Sequence, residues 1–491
     1  MSNPLDLMQD DVAELETSGA AGNVVQTCPA VKIEYGVFFD GTGNNEANYL
    51  SGKDMRANGQ KASDSYDNDH SNVMRLRTQY KGEKQQTTND CGGIDTIFLS
   101  RYVQGAGTTA GEDDDNMGLA LGMGETGVWS RVAEAFTEIR EELFLQAAKG
   151  EISQITFDIF GFSRGAAAAR HFANLLKATY PFIYQGDYQY FNKYPNHERI
   201  IFPMSIVKIR FIGLFDCVVS TGYVADDDNY PGLRIGLADD LAEKVVNLRA
   251  ADEFRENFSS TSVLANSDPK YGGKEGSREE FVGPGAHSDI GGGYAKHFRE
   301  APIIDLVKAG KNEGVYQTGM FGLDDYSDID KHMAGPVILD EQDFQRQTRL
   351  INEQWIYRTD VHDTYRKIPT LEEGYTYFIV LDRSDFVDHR LSRIYLHIMH
   401  ELALEAGVAF LPNLPSGPDY DIPPDPDLQV IKAKVKNRQP LSVAETLHVK
   451  RNYVHHSAHY AHSEDLVGGF FGIRPMAPQA GDIRTIYPND P

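Results

Sequence analysis

A short apolar run, Ile155-Thr156-Phe157-Asp158-Ile159-Phe160, leads directly into Gly161-Phe162-Ser163-Arg164-Gly165, and an alanine-rich stretch from Ala166 to Lys177 follows. The run has the β-branched and aromatic content, and the length, of a buried strand. The stretch after it is a strong helix former. A chain written this way must turn from strand to helix within a few residues, with Ser163 at the apex. Glycines on both sides permit a strained turn and let neighbouring backbone pass close by. No bulk property narrows the fold as much, because strand–turn–helix units build sheets that are covered by helices.

The alternation recurs along the chain. Val31 to Phe39 reads as a strand that ends in the turn-forming loop Asp40-Gly41-Thr42-Gly43-Asn44-Asn45. Ile94 to Leu99 is a second strand, after a polar surface excursion from Ser51 to Gly93. A helix is predicted over Val128–Ala148 and a strand over Ile206–Phe215, closing on Asp216. Phe281-Val282 leads into a glycine-bounded loop that carries His287. Leu391 to Ala406 reads as an amphipathic helix. Residues 220–274 read as an insertion with a helical middle at Leu237–Phe258, and no clear period emerges from 301 to 375.

These elements predict an α/β fold: an α/β-hydrolase-like, mostly parallel sheet with helices on both faces, plus insertions and a C-terminal accessory segment. The expected organisation has three parts. Residues 1–30 form a flexible acidic leader. Residues 31–411 form the main domain, with insertions at about 220–280 and 301–385. Residues 412–491 comprise a proline-rich linker and a C-terminal segment that packs back on that domain.

Charge and composition exclude several classes. A net charge of −25 over 491 residues argues against nucleic acid as a general partner, since phosphate binding needs clustered cations. No apolar run approaches the roughly 18 residues of a membrane span. Met1 to Thr27 contains no Lys or Arg, so it lacks the basic start of a secretory signal. Cys28, Cys91 and Cys217 are too few and too scattered for a disulfide framework or a zinc site, which points to folding in a reducing cytoplasm.

No cofactor or metal is expected. His455, His456, His459 and His462 cluster without a Cys or Glu at ligand spacing. Asp324, Asp325, Asp328 and Asp330 lack the glycine and the closing Glu of a calcium loop. The string Gly122-Met123-Gly124-Glu125-Thr126-Gly127 matches a dinucleotide fingerprint but lacks the strand that must precede one.

A serine hydroxyl is a poor nucleophile until a base takes its proton, and that base needs an orienting carboxylate. Asp216 is the first carboxylate after Ser163 that closes an apolar strand, although a turn-capping role would also explain it. His287 stands out among the histidines because glycines on both sides free its loop to carry an imidazole into a cleft; His455, His456 and His459 are the rivals. Asp289 is placed to hydrogen-bond a neighbour of His287. Ser163, Asp216 and His287 each follow an apolar run, and reactive groups in such sheets lie beyond the carboxyl ends of strands. The backbone N–H of Arg164 is one candidate donor to an oxyanion, and the Asp40–Gly43 loop, through Gly41 and Thr42, supplies the other.

The blocks Phe39-Asp40-Gly41-Thr42-Gly43-Asn44-Asn45, Gly161-Phe162-Ser163-Arg164-Gly165-Ala166, Phe215-Asp216 and His287-Ser288-Asp289-Ile290-Gly291-Gly292-Gly293-Tyr294 occur in an order that resembles one family. It is the phospholipase effectors of the bacterial type VI secretion system, first lipase family. Leu391 to Glu401 and Tyr453 to His459 are similar to that family as well. The resemblance implies a Ser163–Asp216–His287 triad that hydrolyses acyl esters of membrane glycerophospholipids, an antibacterial activity, no signal peptide, and delivery from the cytoplasm into the target-cell periplasm. It further implies a secretion spike or tube component and a cognate immunity protein as partners. Cys217 departs from the pattern, which commonly has Thr after the Asp. The alternatives are a carboxylesterase or thioesterase acting on a soluble acyl substrate, and a non-catalytic binding module of the same fold.

Overall fold

The computed structural model describes residues 30–62, 64–88, 93–115, 118–119, 122–147, 151–177, 204–220, 233–296, 303–310, 363–369, 374–381, 387–458, 476 and 478–490. The leader (apart from residue 30), His459, His462 and the aspartates at 324, 325, 328 and 330 lie outside the described residues, as does most of 301–385.

The strands, in chain order, are β1 (Val31–Phe39), β2 (Thr87–Thr88), β3 (Ile94–Val103), β4 (Ile152–Phe162), β5 (Val207–Phe215), β6 (Lys244–Ala250), β7 (Ser260–Thr261), β8 (Gly272–Glu275), β9 (Arg278–Gly283), β10 (Ile303–Gly310), β11 (Asp363–Pro369), β12 (Gly374–Leu381) and β13 (Ile486–Tyr487). Eight form one sheet in the order β2-β3-β1-β4-β5-β6-β9-β8. The six central strands run parallel, and β2 and β8 pair antiparallel at the two edges. β10, β12 and β11 make a separate antiparallel sheet, and β13 pairs with β7.

Side chains on successive strand residues point to opposite faces, and here both faces are apolar. Ile33, Tyr35, Val37 and Phe39 of β1 join Ile155, Phe157 and Ile159 of β4 against helices Val128–Ala147 and Arg164–Lys177. Phe38, Phe160 and Phe211 pack on the other face against helices Asn72–Arg77, Ser392–Glu405 and Pro426–Lys436. Phe38 and Phe160 stack with ring centroids 5.1 Å apart. Such two-sided burial is what an α/β sheet requires. A β-bulge between β4 and β5 leaves Arg210 unpaired in register, and its Nε donates to the buried Asp158 carboxylate at 2.9 Å.

The helical reading of Leu237–Phe258 is overturned. That stretch contains β6, held between β5 and β9 in the middle of the parallel array, followed by a single 3-10 turn at Glu256–Phe258. Val245, Val246, Leu248 and Ala250 are all buried. A strand buried on both faces shows no period of two, so the sequence pattern could not separate it from a buried helix. The proline-rich stretch leads into helices Pro426–Lys436 and Val443–Asn452, whose Leu428, Ile431, Val435 and Val449 enter the second core. No helix among the described residues is long and apolar enough to cross a membrane.

Candidate active site

β4, β5 and β9 point their carboxyl ends to the same edge of the sheet, and Ser163, Asp216 and His287 stand just beyond those ends. Ser163 has φ 58°, in the left-handed region that a side chain normally avoids. The strain is held by the surroundings. The Ser163 N–H donates to Phe215 O at 3.0 Å, and the Ser163 carbonyl accepts from Ala166 N–H at 2.9 Å as the helix begins. Close approach explains both glycines of the motif. A Cβ on Gly161 would lie 2.4 Å from Gly165 O, and one on Gly165 would lie 2.2 Å from Asp40 O.

Asp216 follows β5 with φ 43°, and its N–H donates to Leu248 O at 2.7 Å. Its carboxylate is fully buried and receives four contacts. Oδ1 accepts from Ala250 N–H at 3.0 Å and from Arg484 Nη1 at 2.6 Å. Oδ2 accepts from Arg484 Nη2 at 3.0 Å and faces His287 Nδ1 at 2.6 Å. Burial alone would raise this carboxyl, but Arg484 and His287 together hold it well below the usual carboxylate range. The group is an anion at neutral pH.

His287 opens the short helix His287–Gly291 rather than sitting in an open loop. Its imidazole packs against Phe162, with ring centroids 4.7 Å apart, and meets Phe258 edge-on at 5.1 Å. Burial pushes its basicity down, and the neighbouring Asp216 partly opposes that. Its N–H faces Glu253 Oε2 at 3.2 Å, and Glu253 is paired with Arg255 at 2.7 Å. Asp289 accepts from Ala286 N–H at 3.0 Å, next in the chain to His287, and from the N–H of His455 at 2.9 Å; its other oxygen meets His455 Nδ1 at 2.6 Å. Among the described residues, Ser163 Oγ and His287 Nε2 are not joined by a hydrogen bond, as is common before substrate binds.

Of the loop after β1, the Gly41 N–H donates to Asp40 Oδ1 at 2.7 Å. Arg164 Nε donates to Thr42 Oγ1 at 2.8 Å, and its Nη2 donates to Leu119 O, which ties that loop to the turn at Ser163. Burial with no opposing carboxylate lowers the Arg164 guanidinium to about 10. Cys217 is buried, and burial raises its thiol, which makes it an inert packing group. The glycine string at 122–127 forms turns with positive φ at Gly122 and Gly124 ahead of helix Val128–Ala147, and the nearest preceding strand among the described residues, β3, ends at Val103, well short of it.

Sequence reasoning missed Arg484 altogether. It also missed the pairing of Asp289 with His455. The only hint was Asp289 two residues beyond His287; nothing near Arg484 marks it.

Residues 184–309 match the family described as "T6SS, Phospholipase effector Tle1-like, catalytic domain". That span contains Asp216 and His287 and begins after Ser163. The fold is similar to a solved structure of the Tle1 effector bound to the VgrG spike from the Type 6 secretion system. The TM-score is 0.62 at 22% identity, covering 97% of this chain and 98% of the other. An uncharacterized protein from Pseudomonas aeruginosa aligns with TM-score 0.44 at 19% identity, over 87% of this chain and 53% of that one. No curated protein matches in sequence. The resemblance to type VI phospholipase effectors is therefore carried by a sequence match over part of the chain and by the fold along nearly all of it.

Proposed function

We propose that this chain is a serine phospholipase of the type VI secretion system that hydrolyses acyl esters of membrane glycerophospholipids. The observation that carries the reading is the buried His287–Asp216 pair, 2.6 Å apart, at the sheet edge where Ser163 occupies a strained strand–helix turn. In this mechanism Ser163 Oγ attacks the acyl carbonyl while His287 Nε2 takes its proton. Asp216 holds the proton on Nδ1 and stabilises the imidazolium that forms. The alcohol leaves as lysophospholipid with the proton from His287, and a water then repeats the sequence on the acyl-enzyme.

The developing oxyanion needs N–H donors that are not already engaged. Since Gly41 donates to Asp40, the donors we assign are the N–H groups of Arg164 and Thr42. Arg164 also steadies the second donor through its side-chain bond to Thr42. The chemistry is complete without a metal or cofactor. The effector resemblance extends the proposal to delivery by a type VI spike into the periplasm of a target bacterium, where a cognate immunity protein protects kin.

Release of fatty acid from phospholipid vesicles tests the reading, with Ser163→Ala as the decisive variant. Turnover should fall on the order of 10⁴-fold or more, and labelling by a fluorophosphonate probe should vanish. Vesicle activity retained by that variant would refute the serine mechanism. Hydrolysis confined to short soluble esters would refute the lipid substrate.

A further inference from the structure

Asp216 is approached from a part of the chain 268 residues away. The Arg484 guanidinium forks onto both carboxylate oxygens, Nη1 to Oδ1 at 2.6 Å and Nη2 to Oδ2 at 3.0 Å, while its Nε donates to Phe258 O at 2.6 Å. The arginine side chain is 6% exposed and the carboxylate 0%. The fork is held by a clamped segment. β13 pairs with β7 just after Arg484, Gln479 N–H donates to Phe254 O at 2.7 Å before it, and Asn489 Oδ1 accepts from the buried Arg170 at 3.0 Å.

A planar fork fixes the plane of a carboxylate as well as its place. Orientation matters here because Oδ2 serves both Arg484 and His287. The same cation also works against the acid, since a positive charge beside Asp216 weakens its pull on the imidazolium. The other charged groups around the pair have direct partners of their own. Glu253 is matched by Arg255 at 2.7 Å and Arg249 by Glu280 at 3.2 Å, and the buried Cys217 is neutral. Arg484 is thus the cation that Asp216 itself must balance.

We propose that Arg484 is a positioning residue for the hydrolytic reaction, locking the Asp216 carboxylate against His287 while tempering the basicity that Asp216 confers on the imidazole. This rests on the serine-hydrolase reading above. The rate of such an enzyme rises with pH as the base histidine loses its proton. Removing the Arg484 charge lets Asp216 hold that proton more firmly, so the acid limb moves to higher pH.

Arg484→Met and Arg484→Lys, assayed on phospholipid vesicles across pH, test this. Arg484→Met should lower kcat by about tenfold or more with KM little changed, and should shift the acid limb of kcat/KM upward by about half a unit or more. Arg484→Lys, which keeps the charge but not the fork, should return the acid limb toward the parent and recover part of kcat. A lower melting temperature with kcat and the acid limb unchanged would mean a purely structural arginine and would overturn the proposal. Should Arg484→Met fail to fold, Arg484→Gln removes the charge and keeps a donor; parental kcat and acid limb in that variant would overturn it equally. Ser163→Ala separates the two readings. Activity in Ser163→Ala sinks the serine mechanism, whereas an inactive Ser163→Ala beside a fully normal Arg484→Met sinks only the role of Arg484.

Discussion

Replacing Asp216 by Asn should damage activity and stability through two separable causes. The carboxylate accepts from Ala250 N–H, Arg484 Nη1 and Arg484 Nη2, and it faces His287 Nδ1. An amide has one acceptor oxygen. If that oxygen takes the Oδ1 position, the NH₂ group confronts the Arg484 Nη2 donor and the His287 ring. His287 then presents a bare Nδ1 to the amide and carries its proton on Nε2, where it cannot accept one from Ser163. Such tautomer loss costs roughly 10⁴ in turnover.

The second cause is the buried guanidinium left without its anion. Breaking a buried pair by removing one partner costs about 3–5 kcal/mol, and the retained bond to Phe258 O places this case near the lower end. Chemical denaturation should therefore show a loss of about 3 kcal/mol in Asp216→Asn. In the double variant Asp216→Asn/Arg484→Met the stranded charge is gone, so about 2 kcal/mol or more should return while turnover stays low. A single variant that loses under about 1 kcal/mol, or a double variant less stable than the single, would refute the charge argument. Turnover above about a tenth of the parent would refute the tautomer argument.

Three other outcomes are expected. His287→Ala should be about as damaging as Ser163→Ala, with little added by combining them, because the two act as a unit; loss of activity in His456→Ala but not His287→Ala would move the base to the rival cluster. Gly165→Ala drives a Cβ to within 2.2 Å of Asp40 O and should cost about 3 kcal/mol by denaturant titration, whereas a near-neutral effect would mean that the turn relaxes freely. Burial lowers His389 to about 4, so its neutral form is favoured in the folded state; stability should hold above about pH 6.5 and decline as pH falls from there toward 4, by about 2 kcal/mol at pH 5. A His389→Gln variant with an equally steep decline between those limits would assign the acid sensitivity elsewhere.

The parts of the architecture that could be read from sequence are those with local signatures. β1, β4 and β5 each end an apolar run at a glycine-rich or acidic turn, so the positions of Ser163 and Asp216 at strand ends were visible. The helix at Arg164–Lys177 follows from its alanines. β6 was not visible, because Val245, Val246 and Leu248 face apolar layers on both sides and present no alternation. Arg484 was invisible for another reason. Its neighbours Ile483 and Thr485 form no apolar run or turn motif, and its meaning arises only when β13 settles beside β7. Asp289 could be seen near His287, yet the partner it grips, His455, lies 166 residues away. Local patterns identify elements, while long-range polar pairs depend on topology.

The contact between Arg484 and Asp216 also allows assembly in stages. Joining groups 268 residues apart requires closure of a very long loop, and its entropy must be met before the contact gives anything back. The parallel pairs of the sheet are likewise distant in sequence, a topology that folds slowly. β5 can pair with β4 and β6 without the segment around β13, so the sheet can exist while Asp216 still lacks its fork. Collapse and competence are then distinct stages: a newly made molecule can acquire its sheet first and its chemistry afterwards.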